Sequence, residues 1–162
     1  MAQAKLENNV LTLKVKKSPY LIRILLFVFS FLFFVAPFLG MLISIQLGNK
    51  FHIGFVIGII VFGLLGFYML RISLWNSFGK ETIVFHKSEI IYEADYKWFK
   101  DGKKASKINP PYFSIIPIGY KEDNIGALFI CDENENEFIE SVVKIPIEQL
   151  EGLIDTLYKE FN

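Results

Sequence analysis

Hydrophobic positions are spread very unevenly along this chain. Residues 24–47 and 51–70 contain no charged side chain, and only Gly48, Asn49 and Lys50 separate them. At about 1.5 Å per residue, about 20 apolar residues in a helix cover a hydrocarbon core roughly 30 Å thick. Three intervening residues allow only a tight turn, so the pattern predicts an antiparallel transmembrane hairpin. Polar and strand-like residues precede the first apolar run, and no small-residue cleavage site follows it, so it reads as a span and not as a signal peptide.

Outside the hairpin the period changes to two. Leu11, Leu13 and Val15 alternate with Thr12, Lys14 and Lys16, which predicts a half-buried strand over 10–17, broken by Ser18-Pro19. A lone strand is unstable in water, so its partners must come from beyond the hairpin. Strands are predicted at 81–86 and 89–96, with a turn at Lys87-Ser88. Residues 97–100 extend the second strand or start the next, Asp101-Gly102 predicts a hairpin turn, and 103–108 return. After Asn109-Pro110-Pro111, residues 112–118 contain Pro117 and can be an edge strand only. Residues 126–132 predict a buried strand, 132–137 a polar turn and 138–145 its return. In 146–161, Leu150, Leu153, Ile154, Leu157 and Phe161 share one face of a helix that should lie across the sheet. The predicted fold class is membrane α + β. A transmembrane hairpin at 20–75 is inserted into a small antiparallel domain built from an N-terminal strand segment, 1–19, and from 76–162.

Charge then gives sidedness. Five Lys or Arg precede the first span (Lys5, Lys14, Lys16, Lys17, Arg23), one lies in the turn (Lys50) and three follow the second span (Arg71, Lys80, Lys87). The asymmetry predicts cytoplasmic termini and an external turn. Residues 76–162 carry ten Lys against sixteen Asp or Glu, whereas 1–20 carry four Lys against one Glu. An acidic domain is a poor generic binder of nucleic acid, so no nucleic-acid partner is expected. The basic collar suits anionic lipid headgroups, and the lipid bilayer is the first expected partner. The single cysteine, Cys131, excludes an internal disulfide and suits a cytoplasmic domain.

The candidate sites are few. Small residues recur every four positions at Ala36, Gly40 and Ser44 and at Gly54 and Gly58. They mark close helix packing, either within the hairpin or between subunits. The one basic-aromatic cluster of the soluble part is Lys97, Trp98, Phe99, Lys100, Lys103, Lys104 and Lys107. It is either a solvated hairpin tip or a contact for headgroups or an anionic ligand. His52 and His86 are predicted on opposite sides of the membrane and cannot share a metal. No catalytic, cofactor-binding or metal-ligating set is expected, since no Cys pair, metal-ligand spacing or glycine-rich phosphate loop occurs.

Trp75-Asn76-Ser77-Phe78-Gly79-Lys80-Glu81, directly after the second span, resembles the Trp-x-x-Phe-Gly-(Lys/Arg)-Glu junction of small bacterial membrane proteins that carry a PH-like domain beside a two-helix hairpin. The Lys-Ser-Glu-Ile-Ile-Tyr segment at 87–92 and the terminal helix are similar too. The resemblance implies a PH-like β-barrel or half-barrel with a C-terminal helix, and no activity. The expectation is therefore a non-enzymatic, multi-pass protein of the bacterial inner membrane. Its hairpin would anchor a cytoplasmic interaction or scaffolding domain that binds a protein partner or itself. The alternative expectation is an oligomeric, ligand-responsive membrane effector or channel of defence type, with the β-domain as sensor.

Overall fold

Residues 3–134 and 136–161 are described by a computed structural model, in which the chain forms two units. The helical unit is Lys17–Ser77; the β-unit joins the residues up to Lys16 with those from Phe78 onward.

The helical unit contains α1, Tyr20–Gln46, and α2, Ile53–Phe78. At 27 and 26 residues, both are long and apolar enough to cross a membrane. Helix α1 ends in a left-handed cap. Gly48 has φ 84°, its N–H donates to the Ile45 carbonyl, and the Asn49 N–H donates to the Ser44 carbonyl. A residue without Cβ adopts this conformation at no steric cost, which is why the chain can turn here. Helix α2 continues beyond the apolar run, through Arg71, Ser73 and Asn76, to Phe78.

The β-unit holds two antiparallel sheets and a helix. The first sheet has the order β1-β2-β3-β4-β5: Ala4–Glu7, Val10–Lys14, Lys80–Phe85, Ile90–Asp95 and Lys100–Ser106. Strand β2 pairs with β3 in the register Leu11↔Ile83 and Leu13↔Glu81, so the segment before the hairpin joins strands that come after it. The second sheet contains β6, Tyr112–Pro117, β7, Ile125–Cys131, β8, Phe138–Glu140, and β9, Ile145–Pro146. Strand β7 takes β6 on one edge, and β8 followed by β9 on the other. Helix α3, Ile147–Phe161, lies against β6, β7 and β9, with Leu150 and Leu157 fully buried. The core joins Leu11, Leu13, Ile83 and Ile90 of the first sheet to Leu128, Ile130 and Ile145 of the second. Phe85 stacks on Phe161 at 4.3 Å and meets Phe113 edge-on at 6.1 Å, linking the first sheet to both α3 and β6.

Several expectations need correction. The sheets are not closed into a barrel: β1, β5 and β6 are all edges. The hairpin turn falls at Lys97-Trp98, where the Tyr96 N–H donates to the Phe99 carbonyl and Lys97 has φ 76°. Asp101-Gly102 lies inside β5, beside the register shift between Tyr92 and Ala94, and Gly102, at φ 65°, serves a bulge. The return predicted over 138–145 is two short strands interrupted at 141–144. Pro146 belongs to β9, so the helix begins one residue later. Strand β1 has no counterpart among the predicted strands; Asn8 and Asn9, at φ 49° and 63°, form a two-residue turn that pairs it with β2. Of the predicted turn 132–137, residue 135 lies outside the described residues.

Candidate functional site

Within the helical unit, the Ser18 hydroxyl, just before α1, donates to Asn76 Oδ1 of α2 at 2.8 Å, and the two helices meet again further along. The buried Ser30 hydroxyl donates to the Gly66 carbonyl at 3.0 Å, and Phe33 stacks on Phe62 at 5.8 Å. A Cβ at Gly66 would lie 3.1 Å from the Phe34 ring. The glycines singled out in the sequence lie elsewhere. A Cβ on Gly40, Gly54 or Gly58 would meet nothing within 4 Å beyond its own helix backbone. Ala36 is exposed, and the Ser44 hydroxyl accepts a hydrogen bond from Asn49 Nδ2 at 3.2 Å. The small-residue spacing is present in both helices, but the contacts between them include the Ser30–Gly66 hydrogen bond and the Phe33–Phe62 stack.

The basic-aromatic cluster divides between the two ends of the first sheet. Register places Lys14, Lys80, Asp95 and Lys100 in one cross-strand row. The Lys97-Trp98 turn projects just past that row, and at the same end the Val15 N–H donates to the Gly79 carbonyl. Trp98 is 64% exposed, and the Lys97 ammonium lies 4.3 Å from the centre of the Phe78 ring. Asp95 fixes the turn: its Oδ1 accepts from the Lys97 N–H at 2.7 Å, and its Oδ2 lies 3.2 Å from Lys80 Nζ. Partial burial opposes ionisation of Asp95, but these donors outweigh it and hold the carboxyl below its ordinary pKa. Lys100 pairs with Glu93, which raises its pKa.

Lys103 and Lys104 belong to the far part of β5, and Lys107 comes just after that strand. Lys104 Nζ donates to the Phe138 carbonyl at 2.6 Å and sits 4.5 Å from the centre of its ring. Lys104 therefore joins the two sheets. Lys103 and Lys107 are exposed, as is His86.

A site that the sequence reasoning missed lies between the sheets. Glu81 of β3 is fully buried, in the same alternating phase as Ile83 and Phe85. Its Oε1 accepts from the Tyr92 hydroxyl at 2.9 Å and from the Val142 N–H at 2.6 Å. Val142 lies in the interruption between β8 and β9, where a strand partner for its N–H is missing. Two further side chains of the first sheet's edge regions reach the same segment: Lys104 to Phe138, and Gln3 Nε2 to the Lys144 carbonyl at 3.2 Å. Glu81 is thus the central one of three side-chain links that satisfy backbone groups along β8–β9. Burial raises its pKa to about 7, against the opposing pull of the Val142, Tyr92 and Val143 donors. The same burial, with the Glu81 charge, pushes the Tyr92 hydroxyl upward. Glu81 Oε2 has no hydrogen-bond partner. The available signal was a carboxylate on the inward phase of an alternating strand, where an apolar residue belongs.

The chain matches no family model, curated protein or solved structure with which it was compared. Among the described residues no group of three His, Cys, Asp or Glu could hold a metal ion, and Cys131 is buried in β7.

Proposed function

We propose that this chain is a non-enzymatic protein of the bacterial inner membrane, in which α1 and α2 anchor a PH-like interaction or scaffolding domain at the cytoplasmic face. The observation that carries the reading is the exposure of the helical unit. Only 6% of the most apolar 18-residue window of each helix is buried, while Phe31, Leu32 and Leu64 are exposed. A soluble core helix buries such a surface; a bilayer accepts it. The Lys and Arg asymmetry supports cytoplasmic termini, and two antiparallel sheets with a terminal helix support the PH-like reading. Labelling of Asn49→Cys in a Cys131→Ser background provides the test. A membrane-impermeant thiol reagent should reach position 49 from outside intact cells. Modification only after the cells are opened would reverse the topology, and recovery of the protein in the soluble fraction would end the membrane reading.

A second reading is an oligomeric, ligand-responsive effector or channel. It draws on the open faces at Gly40, Gly54 and Gly58, where another copy could approach closely. Mass measurement in mild detergent and single-channel recording separate the two: a monomer without currents leaves only the anchor.

A further inference from the structure

Both connections between the units leave the β-unit from one end of its first sheet. The chain passes out after Lys16, two residues beyond the Lys14–Lys80 pair, and returns at Phe78, two residues before it. The Lys97-Trp98 turn occupies that same end, because Asp95↔Lys100 continues the row and the turn lies just beyond it. Lys97 reaches Phe78, where the chain re-enters the β-unit. An exposed tryptophan next to an exposed lysine is the pairing found where proteins meet the headgroup layer, since the indole is amphipathic and the lysine stem is long. Lys14 and Lys16, both exposed, add positive charge at this end. Two features fix the turn in place: the Asp95 hydrogen bond to the Lys97 N–H, and the stack of Tyr96 on Phe99 at 4.7 Å.

Resting on the membrane-anchor reading, we infer that the Lys97-Trp98 turn, together with Lys14 and Lys16, is a docking surface for the anionic lipid headgroups of the bilayer in which α1 and α2 reside. The occupant is a lipid surface because the patch adjoins the chain segments that lead into α1 and out of α2 and because its exposed side chains are cations and an indole. Lys103, Lys104 and Lys107 are not part of it.

The full chain in lipid nanodiscs tests this, with brominated lipids as fluorescence quenchers. Trp75→Phe leaves Trp98 as the only indole, and Trp98→Phe leaves Trp75, which reports on α2. In discs containing phosphatidylglycerol, Trp98 should be quenched by bromine placed near the headgroups, and less so in discs of phosphatidylcholine alone. Lys14→Ala, Lys16→Ala and Lys97→Ala should each weaken the docked state about fivefold, and Lys107→Ala should not. Quenching of Trp75 without quenching of Trp98 overturns the docking surface and leaves the anchor standing. Equal quenching of Trp98 in both lipids overturns the anionic specificity. Absence of quenching for both indoles removes the anchor and the docking surface together.

Discussion

The two units of this protein bury apolar side chains by different means. In the β-unit, Leu11, Leu13, Ile83, Leu128 and Leu157 are fully enclosed by other parts of the same unit. Each such side chain contributes about 1.5–3 kcal/mol by leaving water. In the helical unit, Phe31, Leu39 and Leu64 are more than half exposed, and the helices meet through contacts that include Ser30, Phe34 and Gly66 and the Phe33–Phe62 stack. Packing and a buried hydrogen bond join the helices, and in a bilayer, whose lipid tails are as apolar as leucine, nothing would drive those exposed side chains inward. The lesson is that leucine content says little about where a core lies. What matters is whether a segment also carries polar positions that fix one face toward water.

The comparison can be broken from either side. The largest effect should come from deleting residues 1–16. This removes β1 and β2, with Leu11 and Leu13, from the first sheet while leaving both long apolar helices. In limited proteolysis, protection of residues 80–160 should be lost and that of the helical unit retained. Unchanged protection of 80–160 would show that the β-unit does not need its N-terminal strands.

Next is Leu157→Ala, which empties a fully buried site under α3 and should cost about 2–5 kcal/mol in melts of the β-unit. Lys159→Ala, on an exposed position of the same helix, should stay within about 0.5 kcal/mol. Similar melting of Leu157→Ala and the unchanged protein would remove α3 from the core.

Glu81→Gln sharpens the comparison by titration. The folded-state pKa of about 7 lies above the ordinary 4.5, so the fold favours the protonated carboxyl. Its contribution is fully present below about pH 4.5 and is lost as the pH rises through 7. The amide keeps an oxygen for Tyr92 and Val142 but cannot ionise. Its stability relative to the unchanged protein should therefore improve by about 3 kcal/mol between pH 4 and pH 8, since one pKa unit is worth about 1.4 kcal/mol. Parallel melting curves across that pH range would show that Glu81 does not titrate as a buried carboxyl.

A smaller effect is expected from Tyr158→Phe. The Tyr158 hydroxyl lies 3.1 Å from both the N–H and the carbonyl of Phe113, on the edge of β6 that faces away from β7. Losing these bonds should cost about 1 kcal/mol, and faster amide exchange at Phe113 would report the opened edge. Gly66→Leu, which collides with Phe34 in the hairpin, should leave the melting of the β-unit unchanged. A matching loss of β-unit stability would mean that the two units do not fold independently.

Much of this organisation is legible in the amino-acid pattern. The uninterrupted apolar runs locate both helices, and alternation at Leu11 and Leu13 locates β2; the strand does pair across the hairpin with Ile83 and Glu81, but it also has a local partner, β1, that the pattern did not reveal. The face of α3 is also legible, since Leu150 and Leu157 are the two buried positions of its apolar stripe. Asp101-Gly102 misleads because a glycine at positive φ serves a bulge as well as a turn, and the choice depends on register with β4. The basic cluster could not be divided from sequence, because neighbouring lysines along one strand end at opposite ends of a sheet.

The sequence by itself determined the two long helices, the terminal helix and most of the strands, because hydrophobic period is a local property. Tertiary structure alone decided that the sheets stay open, that Gly66 and not Gly58 meets the facing helix, and that Glu81 ties β3 to the interrupted strand β8–β9. These outcomes depend on which distant backbone groups lack a strand partner, and the Val142 N–H, which has none and donates to Glu81, becomes visible only when the segment around it has been placed beside that carboxylate.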